Sequence, residues 1–171
     1  LYLRALEVRE RTLGPEHPST LVSVHNLAML YKSQGRSAEA EPLYLRALEA
    51  QERTLGPEHP STLMSVNNLA GLYQAQGRRA EAEPLYLRAL EVRERTLGAE
   101  HPDTLSSVNN LAALYNSQGR NTEAEPLYLR ALEVRERTLG PEHPSTLISV
   151  NNLAALYKSQ GRYADAEPLY L

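Results

Sequence analysis

The sequence predicts an all-α solenoid of antiparallel helix pairs, and three observations carry that expectation. The first is a strict internal repeat. LYLRALEVRERTLG begins at Leu1, near-copies begin at Leu43, Leu85 and Leu127, and a truncated copy begins at Leu169, a period of 42 residues without insertion. The second is the apolar spacing, which follows a 3.6-residue helical period twice in each copy. The third is punctuation: Gly35 closes one periodic stretch and Gly56-Pro57 closes the next. A lone helix pair cannot cover both of its apolar faces, whereas stacked copies can.

The elements follow in chain order. Residues 1-18 read as the second helix and turn of a truncated leading repeat, 19-60, 61-102 and 103-144 as repeats, and 145-171 as a partial repeat. In the unit from Ser19 to Pro60, the first helix is predicted over Ser19 to Ser33, with Leu21, Val24, Leu27, Ala28 and Tyr31 on one stripe. Pro18 suits a first turn, and Ser19 or Thr20 is expected to cap nearby amides. Gly35 is a natural left-handed stop. The second helix is predicted over Ser37 to Leu55, with Ala40, Leu43, Tyr44, Ala47 and Leu48 on one face. Pro42 lies about a turn inside it and removes one backbone bond, as do Pro84, Pro126 and Pro168 in the other copies. The helix is expected to survive with a local bend. Ala28, Ala40 and Ala47 are placed where helices cross closely, and Tyr31 and Tyr44 are the large fillers. The chain opens and closes inside the same element, and on Leu1 rather than Met, so a window of a longer array without its natural start is expected.

Composition excludes several classes of function. With no Cys there is no disulfide framework and no thiolate metal site. Net charge is −3, with 18 basic and 21 acidic side chains interspersed, which gives no basic stripe for nucleic acid. An α-helical RNA-binding repeat would need a shorter period and a basic inner face. No apolar run reaches the roughly 18–20 residues that span a bilayer, so no membrane partner is expected. The absence of a targeting segment says little about location in a chain that opens on Leu1; a cytoplasmic location is the expectation. Neither a phosphate-binding Gly loop nor a nucleophile elbow occurs, and a chain of near-copies offers almost no singular residue for an asymmetric catalytic constellation. A non-enzyme without cofactor is therefore expected. His17, His59, His101 and His143 recur once per turn, too far apart to share an ion, and their neighbouring Glu is not at zinc-helix spacing. They are expected to cap or pack the turn and to bind no metal.

A period of 42 residues falls in the range of HEAT and armadillo repeats, whereas the tetratricopeptide repeat is usually about 34. The motif decides otherwise. Val24, Leu27-Ala28, Tyr31, Ala40, Tyr44 and then Ala47 match the tetratricopeptide pattern. Copies follow at Val66, Leu69-Ala70, Tyr73, Ala82, Tyr86; at Val108, Leu111-Ala112, Tyr115, Ala124, Tyr128; and at Val150, Leu153-Ala154, Tyr157, Ala166, Tyr170. The extension EVRERTLGPEHPST and the segment Asn67-Asn68-Leu69-Ala70 resemble the long tetratricopeptide repeats of kinesin light chains and their bacterial relatives, and the near-identity of the copies is similar to the bacterial ones. That resemblance covers the whole chain. It implies a right-handed superhelix whose inner face binds cargo proteins, often as extended peptides, helped by a ladder of Asn. The heptad coiled coil that joins light chains to their motor has no counterpart here.

Comparing the copies separates scaffold from surface. In the first helix the changing positions are Val22/Met64/Ser106/Ile148, His25/Asn67/Asn109/Asn151, Met29/Gly71/Ala113/Ala155, Lys32/Gln74/Asn116/Lys158 and Ser33/Ala75/Ser117/Ser159. They form one helical stripe beside the packing stripe. Facing a groove it would be a peptide-binding surface; otherwise it reflects drift on a solvated face. Drift alone should also scatter the outer second-helix positions, which are far more uniform. Asn26, Asn68, Asn110 and Asn152 are constant and mid-helix, each costing roughly 0.5–0.7 kcal/mol against Ala. As an amide ladder they would offer donors and acceptors to a peptide backbone; alternatively one Asn of each pair bonds a neighbouring helix or turn. His25, Lys32, Lys158 and the turn residues Arg36, Arg78, Arg79, Arg120 and Arg162 tilt the rim positive, which suggests an acidic or phosphorylated peptide. The predicted function is thus a non-catalytic scaffold for a protein segment. The alternative is a spacer or self-associating rod that stacks end to end through the apolar faces of its terminal half-repeats.

Overall fold

The computed structural model describes residues 2–170, so the end residues Leu1 and Leu171 of the predicted half-repeats lie outside it. Every regular element among the described residues is helical, which is the all-α class read from the sequence. The chain divides into two compact units, Leu1–Leu85 and Tyr86–Leu171. The first holds α1 (Tyr2–Leu13), α2 (Pro18–Ser33), α3 (Ser37–Leu55) and α4 (Pro60–Ala75). α5 (Arg79–Leu97) begins in the first unit and ends in the second, which continues with α6 (Pro102–Ser117), α7 (Asn121–Leu139), α8 (Pro144–Ser159) and α9 (Tyr163–Ala166). In the first unit α2 packs between α1 and α3, and α3 packs on α4; in the second, α7 packs between α6 and α8. α3 and α7 thus each touch their own first helix and the next one along.

The predicted second helix coincides with α3, and the first helices begin one residue early, at the proline. That shift corrects the capping expectation. With Pro18 at the first helical position, His17 becomes the extended N-cap, and its Nδ1 accepts the Ser19 N–H at 3.2 Å. His59, His101 and His143 do the same for Ser61, Asp103 and Ser145 at 3.2, 3.1 and 3.1 Å. The threonine after each cap position turns inward instead, and Thr20 and Thr62 donate to the carbonyls of Gly14 and Gly56 at 2.8 Å.

Pro42, Pro84 and Pro126 lie inside unbroken helices, on the solvent side, where the residue whose carbonyl loses its N–H partner is itself exposed. Pro168 departs from the expectation. The α-helix stops at Ala166 and a 3-10 turn takes over, closed by Tyr170 N–H to the Glu167 carbonyl at 3.1 Å. Gly56 ends α3 at φ 93° and ψ 162°, a region closed to side chains with a Cβ.

Val24, Ala28, Ala40 and Ala47 are completely buried with Tyr44, as are their counterparts in the second unit around Val108, Ala112, Ala124, Ala131 and Tyr128. Tyr31 is only half-buried, covered by the Arg36 guanidinium 4.1 Å above its ring. Outward polar residues of the second helices pair from one copy to the next: Arg46 with Glu10 and Arg130 with Glu94, each at 2.6 Å.

Candidate functional site

The stripe of changing residues lies on the open side of the first helices. In the first unit Val22, Met29 and Met64 are exposed, while His25, Asn26, Lys32, Asn67, Asn68, Gly71 and Gln74 are half-buried. α2, α4 and the last turns of α3 enclose a pocket of about 360 Å³. Its walls are Pro18, Leu21, Val22, His25, Asn26 and Met29 from α2, Ser61 and Met64 from α4, and Gln51, Thr54 and Leu55 from α3. The structure therefore brings His25, Asn26, Met29 and Met64 together at one cavity.

The Asn pairs divide their roles. The Asn68 amide nitrogen meets His25 Nε2 at 3.2 Å, linking one first helix to the next. Asn67 turns back on its own helix, donating to the Leu63 carbonyl at 3.1 Å, and its Oδ1 is buried without a partner. In the second unit Asn110, Asn116 and Asn152 are half-buried with Ala113, whereas Ser106, Ile148, Asn151 and Lys158 are exposed. Asn109 alone among the stripe residues is buried. With its amide oriented so that the oxygen meets the guanidinium, the orientation that satisfies both groups, it accepts from Arg135 Nη1 at 2.7 Å. It belongs to the packing of this unit, because a guanidinium reaches it from the second helix. Ser159 Oγ lies 3.4 Å from Asn116 Oδ1, a second link between successive first helices.

Arg135 belongs to a set that periodicity did not reveal. Arg9, Gln51, Arg93 and Arg135 occupy one position of the second helix and reach across to the next first helix. Arg135 Nη1 donates to the Ser145 carbonyl at 3.1 Å and to Ser149 Oγ at 2.8 Å, and Arg93 makes the matching bonds to Asp103 and Ser107. The signal was present in the serines Ser23, Ser65, Ser107 and Ser149, constant polar residues inside a buried helix face.

Arg36, Arg78, Arg120 and Arg162 do not give a positive rim. Arg36 pairs with Glu39 at 2.5 Å, Arg78 with Glu81 at 2.6 Å and Glu41 at 2.7 Å, Arg120 with Glu123 at 2.6 Å, and Arg162 with Asp165 and Glu125 at 2.8 Å. Each also stacks on the tyrosine of its own first helix, at 4.0 to 4.1 Å. The arginines hold the carboxyls of Glu39, Glu41, Glu81 and Glu123 below the usual carboxylate range. The charge of these four arginines is balanced locally, so they give no support to an acidic peptide. No group of His, Asp and Glu among the described residues is arranged to hold a metal ion, and no described helix is long and apolar enough to cross a membrane.

His25 is half-buried, edge-on to Tyr44 at 5.7 Å, with Nδ1 enclosed and unpartnered. Burial lowers its pKa below the ordinary 6.5, because a protonated ring would place an unmet N–H and a charge inside. Below that value the unfolded chain binds more protons at this site than the folded one, so stability falls as pH drops from 6.5 through the folded pKa, and is unaffected above. His25→Asn, which installs the residue of the other copies, is expected to flatten that part of the stability–pH curve. Urea midpoints at pH 7.5 and 5.0 for both proteins check this; an unchanged slope in the variant would assign the pH dependence elsewhere.

Comparison with known proteins follows the same lines. A family model described as tetratricopeptide repeat matches residues 1–53, 22–94, 63–120 and 105–171. No curated protein matches. Among solved structures, nearly identical TPR-like repeats of a kinesin light chain-type protein from Podosopora anserina are 36% identical, with a TM-score of 0.82 over 99% of this chain and 80% of that one. A second crystal structure of those repeats gives 37% identity and a TM-score of 0.79 at the same coverage. BtubC (BKLC) from P. vanneervenii is 30% identical, with a TM-score of 0.81 over 98% of this chain and 67% of that one.

Proposed function

Since the chain belongs to the tetratricopeptide repeat family, whose repeats generally mediate protein–protein interaction, we propose that it is a non-catalytic scaffold that binds an extended protein segment along its first helices. One observation carries the reading. The first-helix positions at which the copies differ are, Asn109 apart, open or half-open, and Val22, His25, Met29 and Met64 of the first unit line one pocket. Residues that change while the packing beside them stays fixed are what a ligand-facing surface requires. Asn26, Asn68, Asn110 and Asn152 lie alongside and supply amide groups suited to a peptide backbone. The local pairing of the turn arginines favours no net charge in the partner.

A library of 12-residue peptides selected on the intact chain tests this, with binders expected at roughly micromolar affinity. Asn68→Ala/Asn110→Ala/Asn152→Ala should weaken the selected peptides at least tenfold while leaving helicity and melting temperature near the parent value, Ala being the better helix former. A large fall in melting temperature would make these Asn structural. Undiminished binding would place the groove elsewhere.

A further inference from the structure

The pocket in the first unit has a counterpart in the second, lined by Pro102, Leu105, Ser106, Thr138, Leu139 and Ser145, each 84 residues after Pro18, Leu21, Val22, Thr54, Leu55 and Ser61. The two differ in size, about 360 Å³ against about 180 Å³. They also differ in charge: Glu100 and Arg135 line the smaller one, and no acidic residue, Lys or Arg lines the larger. One substitution accounts for much of this. Gln51 stands where the other copies have Arg9, Arg93 and Arg135. An arginine there extends across the cavity floor to the first residues and the serine of the next helix, as Arg9 does to the Ser19 carbonyl at 3.0 Å and Ser23 Oγ at 2.6 Å. Gln51 is shorter. It accepts from Ser65 Oγ at 2.6 Å and goes no further.

We propose that Gln51 opens a selectivity pocket for one large uncharged apolar side chain of the bound peptide. This rests on the scaffold reading and adds to it which side chain is read and where. The walls decide the chemistry. Leu21, Val22, Leu55, Met29 and Met64 present hydrocarbon and thioether, and Met reshapes itself around branched or aromatic groups at little cost. A charged occupant would be desolvated with no counter-ion in the lining, and His25 resists protonation there because of its own burial. The arginine-floored counterpart holds about half the volume and would discriminate far less.

Met29 and Met64 are the two methionines of the chain, and both face this cavity. Intact protein carrying 13C-methyl methionine reports on it directly. The probes are nine-residue Ser/Gly peptides with one central guest: Leu, Phe, Ala or Glu. Both methyl resonances should move and saturate with Leu or Phe, bind Ala roughly ten- to a hundredfold more weakly, and ignore Glu. Gln51→Arg, which restores the residue of the sister positions, and Val22→Ser, which installs the residue found at Ser106, should each remove the preference for Leu and Phe. Equal response to Ala and Leu, or Leu binding unaltered in Gln51→Arg, overturns the pocket. Library peptides that bind without dependence on Gln51 leave the scaffold reading standing and the pocket refuted. Guest peptides that move the methyls when the library yields no binder support the pocket and refute the extended groove, and silence in both refutes both.

Discussion

Leu114→Ala is expected to destabilise the second unit by about 2–5 kcal/mol, the cost of removing a buried leucine and leaving a cavity that neighbours fill only in part. Leu114 is fully buried on α6. Its helix is closed in along two adjoining seams, Leu105, Val108, Ala112 and Tyr115 on one and Thr104, Ser107, Leu111 and Leu114 on the other. A chain of this size loses about 2–4 °C of melting temperature per kcal/mol, so the drop should be plain in a far-UV melt, with amide protection falling in α6 and α7. Leu129→Ala is the control, because Leu129 is exposed on α7 and its truncation should cost under about 0.5 kcal/mol. Equal losses for the two would mean that α6 is not packed as described.

The Leu114 seam also marks where sequence reading ran out. Helix pairs, ends and the Leu105/Val108/Ala112 stripe were legible because local periodicity and turn chemistry fix them. Of the second seam only Leu111 was legible; Thr104, Ser107 and Leu114 were not, because the seam mixes Leu with Thr and Ser and shows no apolar period. Its burial arises only when the neighbouring second helix arrives with an arginine to meet the serine. The turn arginines failed for a related reason. Arg78 reads as a free rim charge in one copy, yet one of its carboxylates, Glu41, comes from the preceding copy. The uniformity of the outer second-helix positions has the same origin. Arg46–Glu10 and Arg130–Glu94 join successive copies, so these surface residues are tied across the repeat even though each exposed pair contributes little energy. The candidate stripe was legible because it carries few such ties: His25 to Asn68, Asn116 to Ser159, and Asn109 to the guanidinium of Arg135.

That contrast gives the last expected result. Ala28, Ala70, Ala112 and Ala154 are identical and fully buried, while the very next residues, Met29, Gly71, Ala113 and Ala155, vary and are open or half-open. One residue is 100° of helix, which is enough to pass from the packed wall to the stripe. Ala112→Leu must force extra hydrocarbon into a fully buried site on α6 and should cost about 1–3 kcal/mol or more. Ala155→Leu adds the same atoms to an exposed position of α8 and should change stability by less than about 0.5 kcal/mol. Paired urea denaturation curves separate the two. A large loss at Ala155 would mean that the stripe is occupied by the protein itself, leaving no surface for a partner, whereas tolerance at Ala112 would mean that the constant alanines are not set by close helix approach.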